Sequence, residues 1–201
     1  MILFHGRKLY FSFRCAYSFV FTAAPRRKEL LSGLGICYEV KTLPGIEESY
    51  PDTLSGEEIP VFIACEKADA YRQTMHSDEL IITADTIVWL DGLVMGKPED
   101  EEDARRMLRC LSGKTHQVIT GVCLTTTEFQ KSFATVTDVT FAELTEEEID
   151  YYVQKYKPMD KAGSYGIQEW IGFVGVEGIT GSYFNVMGLP IQRLYKELKK
   201  L

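Results

Sequence analysis

Asp85 is a carboxylate inside an otherwise apolar stretch of the sequence. It lies in the run Ile81-Ile82-Thr83-Ala84-Asp85-Thr86-Ile87-Val88-Trp89, which has the β-branched composition of a buried strand. A buried carboxylate is costly unless it is paired, hydrogen-bonded or bound to a metal. A structural aspartate held by backbone N–H groups is one explanation. A catalytic carboxylate is the other, and we favour it because functional sites concentrate such groups.

Two further stretches have the chemistry of phosphate binding. Thr22-Ala23-Ala24-Pro25-Arg26-Arg27 opens a predicted helix with two arginines. Free N–H groups at a helix N-terminus and bidentate guanidinium donors both favour phosphate, although two ordinary surface arginines remain the alternative. Met95-Gly96-Lys97-Pro98 offers a point charge near Asp85 if the preceding hairpin folds back. It lacks the glycine spacing and the Ser/Thr of a Walker A loop.

A glycine-rich region near the C-terminus is a predicted binding surface. It consists of residues 158–168 and 181–190, which carry several side chains able to hydrogen-bond a base or a sugar. Loop-rich segments of this kind between two helices usually bind ligands.

Strands and helices interleave along the chain, so the sequence predicts a mixed α/β fold. Asp91-Gly92 is a strong hairpin signal, and Thr145 with Glu148 forms a capping box that begins a helix. The predicted strands are residues 17–21, 37–41, 80–90, 118–124 and 133–144. Three predicted helices are residues 25–34, 57–75 and 99–111. A fourth follows the capping box and turns Ile149, Tyr152, Val153 and Tyr156 inward, and a final helix uses Ile191, Leu194, Tyr195 and Leu198. In the helix over 57–75 we expect Ile59, Phe62, Ile63 and Ala70 to face inward.

Length, charge and cysteine content narrow the class of protein. A chain of 201 residues suits one domain, or two small lobes that share a cleft. The net charge of −7 argues against a nucleic-acid partner, because phosphate backbones favour a basic face. Five scattered cysteines without CxxC spacing indicate neither a zinc site nor a disulfide framework. They are typical of a reducing compartment, so we expect a soluble, cytoplasmic protein.

The first residues of the chain resemble a secretory signal only superficially. Arg14 interrupts the apolar run over residues 11–24, and the uninterrupted part is too short to span a membrane. We therefore predict no membrane association. Residues 1–16 are interpreted as an N-terminal extension of unknown role, followed by a single domain over residues 17–201.

Six stretches, in this order, resemble the Maf family of nucleoside triphosphate pyrophosphatases. The resemblance runs from about Val20 to the C-terminus, and no single stretch would establish it. The matching stretches are Pro25-Arg26-Arg27-Lys28-Glu29-Leu30-Leu31, Ala84-Asp85-Thr86, Gly96-Lys97-Pro98, Leu111-Ser112-Gly113-Lys114-Thr115-His116, Pro158-Met159-Asp160-Lys161-Ala162-Gly163 and Val186-Met187-Gly188-Leu189-Pro190.

The resemblance implies both a fold and an activity. The fold would be an elongated mixed-sheet α/β fold, similar to inosine triphosphate pyrophosphatases, with two lobes around a central cleft. The activity would be hydrolysis of a nucleoside triphosphate to the monophosphate and pyrophosphate, a housecleaning reaction of the nucleotide pool. The cofactor would be a divalent cation, Mg²⁺ or Mn²⁺.

The resemblance also implies roles for individual residues. The catalytic aspartate falls on Asp85, and the supporting charged positions fall on Glu48, Lys67 and Lys97. The residues that set base specificity in the branch acting on dTTP and UTP fall on Arg26, Thr86 and Gln168. Because the branch acting on methylated GTP differs at all three, this chain is similar to the pyrimidine branch.

One departure from the family pattern concerns the Ser-x-Ser that usually precedes Pro-Arg-Arg. Here the three residues are Thr22-Ala23-Ala24, so Ala24 lacks the second hydroxyl. That hydroxyl would be a phosphate donor and a helix N-cap, the latter worth about 1 kcal/mol. We expect the fold to survive and the affinity for triphosphate to be lower.

The working hypothesis is that Asp85 orients or deprotonates the attacking water and, with Glu48, holds Mg²⁺. Lys67, Lys97 and the turn at Arg26 and Arg27 would neutralise the phosphates. The alternative from another class is a nucleotide-binding regulator of cell division with little catalysis. A purine housecleaning pyrophosphatase is a third hypothesis. A homodimer, the preferred metal, and whether Asp85 is base or metal ligand are left open.

Overall fold

The computed structural model describes residues 18–21, 25–36, 38–41, 46 and 48–201. The predicted extension over residues 1–16 lies outside the described residues. So does Thr22-Ala23-Ala24, the stretch in which the chain departs from the Maf pattern.

Seven strands of the described chain form one mixed sheet. They are β1 (Ser18–Phe21), β2 (Tyr38–Val40), β3 (Glu79–Leu90), β4 (Leu93–Met95), β5 (Thr115–Thr125), β6 (Gln130–Phe141) and β7 (Val176–Thr180). The order is β2-β1-β3-β5-β6-β7, and β4 pairs with β3 beside this path. β1 is parallel to β2 and to β3, whereas the other pairs are antiparallel, so the predicted mixed α/β class is confirmed.

The helices pack around this sheet, and most begin where the sequence predicts. Thr145 Oγ1 accepts a hydrogen bond from the Glu148 N–H at 3.3 Å, and the Glu148 carboxylate accepts one from the Thr145 N–H at 2.8 Å, which confirms the capping box. The helices are α1 (Pro25–Ser32), α2 (Glu58–Arg72), α3 (Glu101–Leu111), α4 (Glu146–Tyr156), α5 (Trp170–Gly175), α6 (Tyr183–Val186) and α7 (Ile191–Leu198), with a 3₁₀ turn at Ala162–Ser164.

The glycine-rich region is more structured than the sequence predicts. α6 lies within residues 181–190, and α5 and β7 occupy residues 170–180 between the two glycine-rich stretches, where the sequence predicts neither a helix nor a strand. α5 and α6 have six and four residues, respectively. Helices this short cannot show the repeating apolar pattern by which a helix is recognised in a sequence.

The hairpin at Asp91-Gly92 forms as predicted. Both residues have positive φ, 52° and 85°, as the central positions of a type I′ turn require. Val88 lies opposite Met95 in the resulting pair of strands. The hairpin therefore returns Lys97 toward the middle of β3, where Asp85 lies.

β3 is buried on both faces, which explains its nearly continuous apolar sequence. Residues with odd numbers face α2: Ile81 packs on Tyr71, and the Thr83 hydroxyl donates to the Ala64 carbonyl at 2.6 Å. Residues with even numbers face the opposite side, where Leu80, Ile82 and Ala84 pack with α1 and α7. The alternation thus directs Asp85 toward α2.

α2 comes very close to the sheet beside Asp85. Gly121 of β5 is the register partner of Asp85, and a Cβ at this glycine would lie 2.3 Å from the Pro60 backbone of α2. Only glycine permits this approach, because the obstructing atoms belong to the main chain.

Gly121→Ala is therefore predicted to destabilise the fold, by about 1–3 kcal/mol, because α2 must move away from the sheet. Chemical denaturation followed by circular dichroism measures this. Gly178→Ala is the matched control, since Gly178 also lies in a strand and a Cβ there meets no atom within 4 Å. Equal stability of the two variants would contradict the prediction.

Among the described residues, no helix is both long enough and apolar enough to cross a membrane.

Candidate active site

A cavity of about 410 Å³ opens beside the centre of β3. Its walls come from β3, the first turn of α1, α2, the end of the β3–β4 hairpin and the glycine-rich region. All eight of the predicted site residues line this cavity, although they are spread over most of the sequence. They are Arg26, Arg27, Glu48, Lys67, Asp85, Thr86, Lys97 and Gln168.

Asp85 is 8 % exposed and is paired with a cation. Lys67 Nζ, on the facing side of α2, donates to Asp85 Oδ1 at 2.7 Å. This ion pair supplies the compensation that a carboxylate within an apolar strand needs. Asp85 Oδ2 makes no hydrogen bond with the part of the chain that the structure describes. One oxygen of this carboxylate is therefore held by the protein, and the other remains for a water molecule or a metal.

Glu48 extends this pair into a chain of four charges. Lys67 Nζ also donates to Glu48 Oε1 at 2.8 Å, and Lys97 Nζ donates to Glu48 Oε2 at 2.9 Å. Burial acts to raise the pKa of Glu48, but the hydrogen bonds from Lys67 and Lys97 outweigh it and lower this pKa from 4.5 to about 2. Glu48 is thus anionic at neutral pH.

Asp85 and Glu48 are the carboxylates that a divalent cation would use. Both bond to the same ammonium group, so they converge on one place in the cavity. Within residues 48–201 and the other described residues, no group of three or more His, Cys, Asp and Glu side chains is placed to hold a metal alone. Mg²⁺ is usually bound by one or two carboxylates together with substrate phosphates. The pair fits a cation that binds together with a polyphosphate.

Arg27 connects three segments of the chain that line the cavity. Its Nε donates to the Gly188 carbonyl at 2.7 Å, one terminal nitrogen donates to the Ala84 carbonyl at 2.8 Å, and the other donates to Thr86 Oγ1 at 3.0 Å. Burial lowers the pKa of Arg27 below its usual value, while the charges of Asp85 and Glu48 act in the opposite direction. These contacts join α1 to β3 on both sides of Asp85. Arg27 therefore supports the part of the strand that carries Asp85.

The three predicted specificity residues all line the cavity, but they differ in how tightly other protein groups hold them. Thr86 Oγ1 is bonded to Arg27 and lies 3.0 Å from Thr120 Oγ1, so its hydroxyl is fixed. Arg26 reaches only a long ion pair, 3.8 Å from one terminal nitrogen to Asp160 Oδ2. Gln168 is half-buried. Arg26 therefore retains donors that are free of close protein partners among the described residues.

The described residues that line the cavity carry an excess of positive charge, although the chain has a net charge of −7. Five of these side chains are cationic and three are carboxylates. The cations are Arg26, Arg27, Lys67, Lys97 and Lys161, and the carboxylates are Glu48, Asp85 and Asp160. This local excess attracts an anionic ligand despite the charge of the whole protein.

Asp160 and Lys161 are two lining residues to which the sequence interpretation gave no role. Lys161 has a side chain that is 8 % exposed, and its Nζ donates to Asp160 Oδ1 at 2.8 Å. The signal in the sequence was the adjacent pair of opposite charges next to Gly163 in the glycine-rich region. That pattern does not distinguish a buried pair from a solvated one.

The chain is similar to a set of proteins that share one name. A family model described as Maf-like protein matches residues 22–201. A protein of Phocaeicola vulgatus is 81% identical over 178 residues, which are 89% of this chain and 92% of the relative. A protein of Bacteroides fragilis is 71% identical over the same shares, and one of Flavobacterium psychrophilum is 47% identical over 87% of this chain and 89% of the relative. All three relatives are named dTTP/UTP pyrophosphatase.

Proposed function

The chain belongs to the Maf family, and we propose that it hydrolyses dTTP and UTP to the monophosphate and pyrophosphate. The chain of charges from Asp85 through Lys67 and Glu48 to Lys97 is the observation that carries this proposal. The shared name of its relatives supports the choice of substrate. In the cell, this reaction would remove unwanted nucleotides from the pool.

The triphosphate binds where the cations line the cavity. The side chain of Lys97 is 55 % exposed and bonds to Glu48, so it can turn toward a phosphate oxygen at little cost. Lys67 is 13 % exposed and stays between the two carboxylates. Fixed cations of this kind stabilise the negative charge that develops on the leaving pyrophosphate.

Asp85 acts on the attacking water. Its free Oδ2 accepts a proton from the water while the water oxygen forms a bond to the α-phosphorus. The bond between the α-phosphorus and the bridging oxygen breaks, and both of its electrons leave with pyrophosphate. Lys67 holds Oδ1 throughout, so the carboxylate keeps its orientation.

A divalent cation, Mg²⁺ or Mn²⁺, is the proposed cofactor, with Asp85 and Glu48 as its protein ligands. When bound, it neutralises phosphate charge and fixes the geometry of the triphosphate. Both carboxylates pair with Lys67 Nζ, so both reach the same region of the cavity.

Arg26, Thr86 and Gln168 are the proposed readers of the pyrimidine base. Thr86 is held by Arg27 and lies next to Asp85 in β3. The residue that contacts the base and the residue that acts at the α-phosphate therefore belong to the same rigid strand. Gln168 offers an amide that can donate and accept, as the edge of thymine or uracil requires.

Steady-state hydrolysis of a nucleotide panel tests the proposal. With Mg²⁺ and then Mn²⁺, we expect dTTP and UTP to give the highest kcat/KM, and ITP, GTP and ATP to be poor substrates. A preference for ITP would instead identify a purine housecleaning enzyme. Tight binding of dTTP without release of pyrophosphate would identify a nucleotide-binding regulator.

Four other properties stay predictions of this proposal. They are a single catalytic domain over residues 17–201, a location in the cytoplasm, the absence of a nucleic-acid partner, and a homodimer in solution. The two-lobed shape and the likeness to inosine triphosphate pyrophosphatases are expected with them.

A further inference from the structure

Lys161 lies in the wall of the cavity, but its charge is already compensated. Its Nζ bonds to Asp160 Oδ1 at 2.8 Å and lies 3.1 Å from Glu169 Oε1. With two carboxylates around one ammonium, Lys161 is not a free cation for phosphate. Buried ion pairs add little net stability, because desolvation offsets their attraction. Asp160, Lys161 and Glu169 thus form one ion-paired group. The contacts at its two ends, Asp160 and Glu169, indicate what the group does instead.

At one end, the group reaches Arg26. Lys161 bonds to one oxygen of Asp160, and the other oxygen lies 3.8 Å from an Arg26 terminal nitrogen. Asp160 is the only carboxylate in the described part of the chain that pairs with Arg26. The side chain of Asp160 is 69 % exposed, and such a residue holds a partner weakly unless its own position is fixed. Lys161 fixes that position.

At the other end, the group reaches the turn that carries Gln168. Glu169 accepts a short hydrogen bond from the Tyr152 hydroxyl, whose oxygen in turn accepts from the Gly166 N–H at 3.0 Å. Tyr152 is fully buried, so it ties this turn to α4.

The packing over Gly166 places Gln168 itself. A Cβ at Gly166 would lie 2.8 Å from Glu169 Cδ and 3.1 Å from Gln168 Nε2. The Glu169 carboxylate and the Gln168 amide therefore both lie over the bare backbone of this glycine and share one packing site.

We propose that Asp160, Lys161 and Glu169 are positioning residues that set the base preference by holding Arg26 and Gln168 in a fixed arrangement. This inference rests on the proposed function and deepens it. Arg26 and Gln168 come from distant parts of the sequence, and Lys161 joins them through one carboxylate on each side. The base then meets a rigid pair of readers.

Asp160→Asn tests the proposal, because it keeps the shape of an exposed side chain and removes the charge that holds Arg26. Binding of the non-hydrolysable α,β-imido analogues of dTTP and dGTP is measured by calorimetry with Mg²⁺. We expect the preference for the dTTP analogue to fall about three- to tenfold. In steady-state assays, the loss should appear in KM for dTTP, with kcat nearly unchanged. Asp78→Asn, an exposed aspartate outside the cavity, is the matched control.

A double-mutant cycle with Arg26→Gln separates positioning from a general loss of structure. Once Arg26 has been replaced, Asp160→Asn should have no further effect on the preference. Additive effects, an unchanged preference in Asp160→Asn, or a wild-type protein without any preference would each overturn the proposal. Because binding is the readout, a protein that binds dTTP analogue selectively but releases no pyrophosphate would refute only the proposed hydrolysis.

Discussion

Replacing Asp85 with asparagine will lower kcat for dTTP by about 10²- to 10⁴-fold, the range expected when a general base is removed. Asparagine has the same shape, and its side-chain oxygen can still accept the hydrogen bond from Lys67 that Asp85 Oδ1 accepts at 2.7 Å. It cannot take a proton from water. The loss should therefore fall on kcat, while the dTTP analogue still binds.

The control for Asp85→Asn measures whether the variant still folds and still binds nucleotide. Circular dichroism and calorimetry with the α,β-imido analogue of dTTP should show a folded protein that still binds the nucleotide. Turnover close to that of the wild type would exclude Asp85 from the chemistry.

The same variant distinguishes the two roles left open for Asp85. If it acts mainly as the base, kcat falls and the Mg²⁺ concentration for half-maximal activity stays the same. If it acts mainly as a metal ligand, that Mg²⁺ concentration rises and excess Mg²⁺ recovers part of the rate.

Lys67→Met will have the second-largest effect, a decrease in kcat/KM of about 10²- to 10³-fold. Methionine keeps the length and the packing of the side chain but removes the ammonium shared by Asp85 and Glu48. Without this ammonium the two carboxylates repel each other, and Asp85 is no longer held in place. The water then loses an oriented base.

Lys97→Met is the matched comparison for Lys67→Met. Lys97 contacts only Glu48 among the carboxylates of the described chain, and more than half of its side chain is exposed. We expect about a tenfold effect, mainly on KM, since one exposed cation for phosphate is lost. An effect of Lys67→Met no larger than that of Lys97→Met would contradict the central position given to Lys67.

Local chemistry made several elements predictable. Thr145 with Glu148 and the Asp91-Gly92 pair encode their structures within four residues, so neither depends on the rest of the fold. Asp85 was conspicuous because a charge interrupts an apolar strand, and the structure shows the compensating cation. Its partner Lys67, and Glu48 on the same ammonium group, are found only through the resemblance, because pairing across 18 or 19 positions leaves no local pattern.

Features set by close packing could not be predicted from the sequence. In α2, Ile59 and Ile63 are buried as expected, but Phe62 and Ala70 are only half-buried. The helix lies so close to Gly121 that small residues, Ala64 and Ala68, fill much of the contact instead. Which face of the helix is buried depends on the shape of the surface it packs against. The spacing of apolar residues within one helix gives no information about that surface.

The most direct test of the proposed hydrolysis is a product analysis of dTTP incubated with the wild-type protein and Mg²⁺. Ion-exchange chromatography separates dTMP, dTDP, pyrophosphate and phosphate. The proposed chemistry at the α-phosphorus predicts dTMP and pyrophosphate in equal amounts, both formed about 10²- to 10⁴-fold more slowly with Asp85→Asn. Release of dTDP and phosphate, or dTTP that is bound but left intact, would contradict it.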